Sequence, residues 1–233
     1  MLDTLFFDGD QTLWDFDKLM RRAMHSTLLE LQAQRPSAND LTVDDLIADR
    51  QAVNAPGQPH EQVRLHAFQH TLRRLHLPDD GLSDHLTAFY LEQRFADVEL
   101  YPDTLEALDQ LRANYTLGLL SNGNSYPERA GLSGLFALTV FAQDHGVAKP
   151  HPDLFRIAAA QADRPPTSIA MIGDSLTNDV TAAQSCGWQG IWLNRTAATC
   201  PPSHTPDATI TSLADLPGLL RHPDAPPLDP RKG

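Results

Sequence analysis

"LFFDGDQTLWDF", residues 5–16, is the stretch on which the reading of the chain turns. With Thr4 before it, "TLFF" (4–7) is a short apolar run that stops abruptly at polar residues. This is the pattern of a buried parallel strand whose carboxyl end opens onto a site. Asp8 and Asp10 follow at once, two residues apart. Open parallel sheets carry their active sites at the carboxyl ends of their strands. Two carboxylates at that position are therefore candidate chemistry and not only a turn that closes a strand.

Outward from this strand the periodicity changes. From Asp17, read as an N-cap, to about residue 96, "KLMRRAMHSTLLELQAQ", "VDDLIADRQAV", "EQVRLHAFQHTLRRLHL" and "SDHLTAFYLEQRFA" repeat apolar residues at spacings of three and four, which predicts helices. After "YPDTLEALDQLRANY", strand and helix signals alternate: "TLGLLSN" (116–122), "LTVFA" (138–142), helix "PDLFRIAAAQA" (152–162), "IAMIGD" (169–174), helix "NDVTAAQSCG" (178–187) and "GIWLN" (190–194). That rhythm predicts an α/β fold, a Rossmann-like parallel sheet with helices on both faces and an inserted α-helical cap. The expected division is a catalytic core over 1–15 and 97–222, a helical cap over 16–96 and a tail over 223–233. "CPPSHTP" reads as a loop.

Composition narrows the function classes. The 233 residues are 41% apolar, enough for a packed interior, and 30 acids against 18 Lys plus Arg give a net charge of −12. That charge disfavours nucleic acid and anionic membrane as partners. Ten histidines, among them His66, His70 and His76 on one predicted helix, show no metal-ligand spacing. Two cysteines, Cys186 and Cys200, are too few for a disulfide scaffold, and no signal segment or run of about 18 apolar residues is present. A cytoplasmic protein is expected.

The polar residues that end the predicted strands form a short list. Ser121 and Asn122 follow the second strand, Lys149 precedes a helix, and Asp174 ends the strand at 169–174, with Asp179 five residues on. Three or four carboxylates converging on one point repel one another in a pocket of low dielectric, so a cation between them is expected. Mg²⁺, a hard cation with oxygen ligands, is the natural candidate. A serine hydroxyl and a lysine ammonium beside it would bind phosphate oxygens.

As a set, "DGDQT" (8–12), "SN" (121–122), the lysine before "PHPDLF" (150–155) and "GDSLTND" (173–179) resemble, in order, the four motifs of the haloacid dehalogenase (HAD) superfamily. The resemblance covers the core sheet from end to end. It implies that Asp8 is a nucleophile forming an aspartyl-phosphate and that Asp10 is general acid and then base. Mg²⁺ would be held by Asp8, the Asp10 main-chain carbonyl and Asp174, with Asp179 supporting the metal and Lys149. Ser121, Asn122 and Lys149 would contact the phosphate. Two positions depart from the family pattern: Gly9 stands where a larger apolar residue is usual, and Gln11 replaces the common glycine before Thr12.

The expected function is a Mg²⁺-dependent phosphatase of a small phosphorylated metabolite, in the capped branch of the superfamily. The segment "RQAVN" (50–54) resembles the nucleotidases of that branch, which makes a nucleoside monophosphate a candidate beside sugar phosphates and phosphoglycolate. The alternatives are a metal-independent 2-haloacid dehalogenase and a catalytically silent binding module on the same fold. The dehalogenases lack an aspartate at the position of Asp10, so its presence favours the phosphatase. Asp15 and Asp17 read as surface or capping groups, His151 as part of a turn, and Trp14 and Cys186 as packing residues.

Overall fold

A computed structural model describes residues 1–53 and 58–220. Asn54 of the "RQAVN" segment and the tail expected over 223–233 lie outside the described residues. Six strands, β1 (Thr4–Phe7), β2 (Thr116–Ser121), β3 (Leu138–Phe141), β4 (Ile169–Gly173), β5 (Gln189–Leu193) and β6 (Ala208–Ile210), form one sheet in the order β3-β2-β1-β4-β5-β6. Every pairing is parallel. β1 lies inside the sheet, with Phe7 level with Leu119 of β2 on one side and Ile172 of β4 on the other. Its residues Leu5, Phe6 and Phe7 are all fully buried, so both faces of the strand are covered.

The chain divides into two compact units, one of Met1–Asp15 with the described residues from Leu100 onward, the other Phe16–Glu99. The second unit is helical: α1 (Phe16–Gln34), α2 (Val43–Val53), α3 (His60–Arg74) and α4 (Leu82–Phe95). Met24, Leu31, Leu46, Phe68, Leu86 and Tyr90 form its core. Lys18 pairs with Glu99 and Arg22 with Asp97, so residues 97–99 go with the helices and not with the sheet. α1 begins at Phe16, which puts Asp17 in its first turn and not at the cap, where a carboxylate still suits the helix dipole.

In the first unit, α5 (Thr104–Leu111), α6 (Ala142–His145), α7 (Pro152–Ala162), α8 (Ala182–Ser185) and α9 (Leu216–Leu220) accompany the strands. Phe6 of β1 stacks on Trp188 at 5.2 Å between ring centres, and Phe155 of α7 meets the same indole edge-on at 5.4 Å. Two sequence expectations change here. The helix expected over 178–187 is a π-helical turn, Leu176–Thr181, followed by α8, because the N–H groups of Asp179 and Val180 both donate to the Ser175 carbonyl. β6 was not expected; it is a three-residue edge strand, too short to show a period.

A carboxylate at the start of α5 ties the loop after β1 to the far side of the sheet. Asp103 takes two bonds from the Arg195 guanidinium (2.9 and 3.0 Å), one from the Ser212 hydroxyl (2.6 Å) and one from the Leu213 N–H (2.8 Å). Arg195 lies over the Tyr101 ring at 3.9 Å and donates to the Thr12 carbonyl at 2.9 Å. Burial alone would raise the Asp103 carboxyl; these donors outweigh it and hold its pKa below the ordinary value. A carboxyl depressed in the folded state adds stability above its unfolded pKa of about 4, and that stability is lost as pH falls through the folded pKa. Asp103→Asn is therefore expected to lower the denaturant midpoint at pH 7, with the gap to the parent narrowing below about pH 4. A gap unchanged between pH 7 and 3.5 would show that the Asp103 charge contributes nothing.

Candidate active site

Strand ends deliver the polar groups. Asp8 follows β1 and donates its N–H to the Ile172 carbonyl of β4 at 2.9 Å. Asp174 follows β4, and Ser121 closes β2. The β1–β4 pair is where the chain crosses from one half of the sheet to the other, the position at which such sheets open a crevice.

Between these ends lies the Lys149 ammonium, 5% exposed. Its Nζ donates to Asp8 Oδ1 at 2.7 Å, to Asp179 Oδ1 at 2.6 Å and to the Leu120 carbonyl at 2.9 Å. An ammonium has three protons, and all three are used. Burial would depress its pKa, but the Asp179 and Asp8 carboxylates outweigh burial and hold it above the ordinary value. A phosphate oxygen reaching Nζ, as the resemblance implies, would have to displace one of these partners. Asn122 positions the lysine: its amide donates to the Lys149 carbonyl (2.9 Å) and accepts the Lys149 N–H (2.8 Å). These two bonds fix the orientation of the Asn122 amide against the main chain of Lys149.

The π-helical turn brings Asp179 inward, where it is 1% exposed. Its Oδ2 accepts the Ser175 N–H at 3.0 Å, and the Ser175 hydroxyl accepts the Asn178 N–H at 3.1 Å. Gly173 is the cradle for this carboxylate, since a side-chain carbon there would overlap it. Burial pushes the Asp179 carboxyl up against the pull of Lys149. Asp174 is pushed up to about 6, first by burial and then by the Asp8 charge. Its main chain is anchored twice, by its N–H to the Thr12 hydroxyl (3.2 Å) and by the Trp192 indole to its carbonyl (2.9 Å). A cavity of about 170 Å³ opens beside it, bordered by Gln11, Trp192 and Asn194.

Oxygens of Asp8, Asp174 and Asp179 lie within 4.8 Å of one another. Among the described residues this is the one group of three or more His, Cys, Asp or Glu close enough to share a metal ion, and no histidine belongs to it. The donor set fits Mg²⁺, being all oxygen, with three carboxylates against one lysine cation and a carboxyl already raised toward its neutral form. The Asp10 carboxylate stands apart from the three. Its Oδ1 accepts from the Trp14 indole at 2.8 Å, and its Oδ2 lies against Gly123, where a side-chain carbon would approach it to 2.7 Å. Ser121 Oγ accepts the Gly123 N–H at 3.0 Å, which brings Asp10 and Ser121 to the same glycine.

His151 caps α7, its Nδ1 accepting the Asp153 N–H at 3.3 Å, and Cys186 packs against the core. Thr12, Trp192 and Arg195, which hold the site in place, give no functional signal in the sequence, and Trp14, expected to pack, also bonds Asp10. All four lie in or beside segments read as strand ends, but the bonds they make span up to 183 residues and leave no periodic trace.

A family model for the haloacid dehalogenase-like hydrolases matches residues 2–187. The chain is similar to the pyrimidine 5'-nucleotidase YjjG of Escherichia coli (strain K12), 29% identical over 94% of this chain and 97% of that protein. It is also similar to the 5-amino-6-(5-phospho-D-ribitylamino)uracil phosphatase YigB of the same organism, 30% identical over 82% and 83%. Among solved structures, a 2-haloacid dehalogenase from Pseudomonas syringae pv. Tomato DC3000 superposes with a TM-score of 0.81 at 29% identity, covering 94% of this chain and 98% of that one. With the matched region running from β1 through the π-helical turn and so including every residue of the carboxylate–lysine cluster, the chain belongs to the haloacid dehalogenase-like hydrolases.

Proposed function

We propose that the protein is a Mg²⁺-dependent phosphomonoesterase of small phosphorylated metabolites that works through an aspartyl-phosphate on Asp8. The observation that carries this reading is the trio of buried Asp8 and Asp179 and half-buried Asp174 beside Lys149, with a further carboxylate, Asp10, held just outside it. Asp8 keeps one oxygen on Lys149 and offers the other to phosphorus. As the new P–O bond forms, the ester P–O bond breaks and Asp10 gives its proton to the departing oxygen. Asp10 then takes a proton from the water that attacks the aspartyl-phosphate, which frees Asp8 and releases phosphate. Ser121 and the main chain at Asn122 receive phosphate oxygens. Asp8, Asp174 and the Asp10 main-chain carbonyl would hold Mg²⁺, with Asp179 beside them. Bound there, the ion would offset charge on the transferring phosphoryl group.

The phosphatases among the relatives support a small phosphorylated substrate, with a nucleoside monophosphate or a sugar phosphate as the first compounds to try. The free thiols of Cys186 and Cys200 suit a cytoplasmic setting, and no helix among the described residues is long and apolar enough to cross a membrane. A second reading, hydrolysis of a carbon–halogen bond by the same nucleophile, is favoured by the likeness to the solved dehalogenase. A halide leaves without a proton, so that chemistry would give Asp10 no task.

Two outcomes are expected. With Mg²⁺ present, phosphate is released from a panel of phosphomonoesters, and Asp8→Asn lowers the rate by about 10³-fold or more with the fold intact, since an amide is a poor nucleophile. Chloride release from 2-chloropropionate in chelator, with no phosphate release from any ester, would transfer the protein to the second reading. Separately, Mg²⁺ added to chelated protein raises the thermal midpoint by about 5 to 10 °C at ~100 Kd, by mass action. Asp174→Asn removes most of that rise; an equal rise in the variant would place the ion elsewhere.

A further inference from the structure

Trp14 is fully buried, yet its indole carries a donor that must find an acceptor. The acceptor is Oδ1 of Asp10, at 2.8 Å. We infer that Trp14 is a positioning residue for proton transfer, fixing the Asp10 carboxylate so that Oδ2 carries the proton, and that Gly9 is glycine in order to admit the indole. The inference rests on the reading of Asp10 as the acid that protonates the leaving oxygen.

Three observations support it. The first is the space at position 9. A side-chain carbon there would sit 2.6 and 2.8 Å from two atoms of the Trp14 ring, far inside contact distance, so any larger residue and this indole exclude each other. The departure from the family pattern at position 9 and the tryptophan five residues later thus form one packing solution. The second is the rigidity of the turn between them. The Leu13 N–H donates to the Gly9 carbonyl (2.8 Å) and the Gln11 N–H to the Trp14 carbonyl (2.8 Å), while Gln11 adopts a φ of +64°. Trp14 also bridges to Leu100, and Leu13 accepts from the Tyr101 N–H and the Thr104 hydroxyl. The indole is therefore a fixed point from which a donor reaches the carboxylate.

The third is the division of labour between the two oxygens. A carboxylate on a short side chain turns about its own axis unless a partner stops it. With Oδ1 held by the indole, Oδ2 is directed to the side of Gly123 and Ser121. In the first chemical step the proton leaves Oδ2 for the ester oxygen as the P–O bond breaks, and the negative charge left on Asp10 is met by the indole N–H, which bonds more strongly to a charged acceptor.

The test compares kcat/KM for glycerol 3-phosphate and 4-nitrophenyl phosphate at saturating Mg²⁺, in the parent, Trp14→Phe, Gly9→Ala, Asp10→Asn and the double variant Trp14→Phe with Asp10→Asn. An alkoxide needs the proton and a nitrophenolate hardly does, so a group that serves proton transfer alters the ratio of the two rates, whereas general loosening of the loop lowers both alike. Trp14→Phe removes the donor and keeps a ring; Gly9→Ala pushes the indole away and leaves both hydrogen-bonding residues in place. Each is expected to lower the alkyl-to-aryl ratio about tenfold, a part of the 10² to 10⁴ that general acid catalysis supplies. The double variant is expected to match Asp10→Asn alone. Equal losses on both esters in Trp14→Phe and Gly9→Ala, alongside a selective loss in Asp10→Asn, overturn the role of Trp14 and leave Asp10 as the acid. Equal losses on both esters in Asp10→Asn overturn the acid reading and the inference with it. Should Trp14→Phe fail to fold, as a thermal scan would reveal, Gly9→Ala decides.

Discussion

One buried cation holds this site together. Lys149 is withdrawn from water and stripped of hydration on all three of its protons, which is tolerable only because two carboxylates and a carbonyl take their place. Dependence runs in both directions. Without the ammonium, Asp8 and Asp179 would face each other as unscreened carboxylates in a pocket of low dielectric. The surrounding structure protects this arrangement at its weakest points. Asn122 fixes the main chain of the lysine from both sides, while the Ser175 N–H holds Asp179 and Gly173 leaves room for it.

The balance the lysine provides is nevertheless incomplete. Three carboxylates share the site with one cation, and the carboxyl of Asp174, which the lysine does not bond, is pushed up to about 6. A phosphate monoester would bring further negative charge to the same place. The protein alone is thus poorly matched to an anionic substrate, and a divalent cation among these oxygens would correct both deficits at once. This is the physical content of the likeness to phosphatases, independent of any relative's name.

Legibility in the sequence followed the range of the interactions. β1 and the helix at 152–162 are set by local apolar runs and periods, and they could be read to the residue. The polar residues at strand ends were legible for the same reason, because sheet topology alone sends them to one edge. The π-helical turn was not, since its pattern over 176–181 looks like any helix and its widening depends on Asp179 reaching inward to Lys149, 30 residues away in the chain. Nor was the Asp103–Arg195 pair, which joins residues 92 apart through groups that on a sequence look like surface charges. The direction of the Trp14 indole is a property of packing, and an apolar residue after a motif reads only as core.

Two carboxylates from one strand end need not do one job, and the backbone around them explains why they separate. Asp8 still belongs to the sheet, its N–H bonded to β4, so its side chain is aimed by the strand into the crevice beside Lys149. Two residues later the chain has left the sheet. The turn at Gln11 folds Trp14 back onto Gly9, and the carboxylate of Asp10 is met by the indole before it can join the other three. Arg195, Tyr101 and Thr104 pin the far end of that turn by bonding the Thr12 and Leu13 carbonyls. In the proposed reaction this matters because the nucleophile and the proton donor must approach phosphorus from opposite sides. A rigid strand end serves the first. The second requires a carboxylate held outside the carboxylate–lysine cluster, where Lys149 does not bond it.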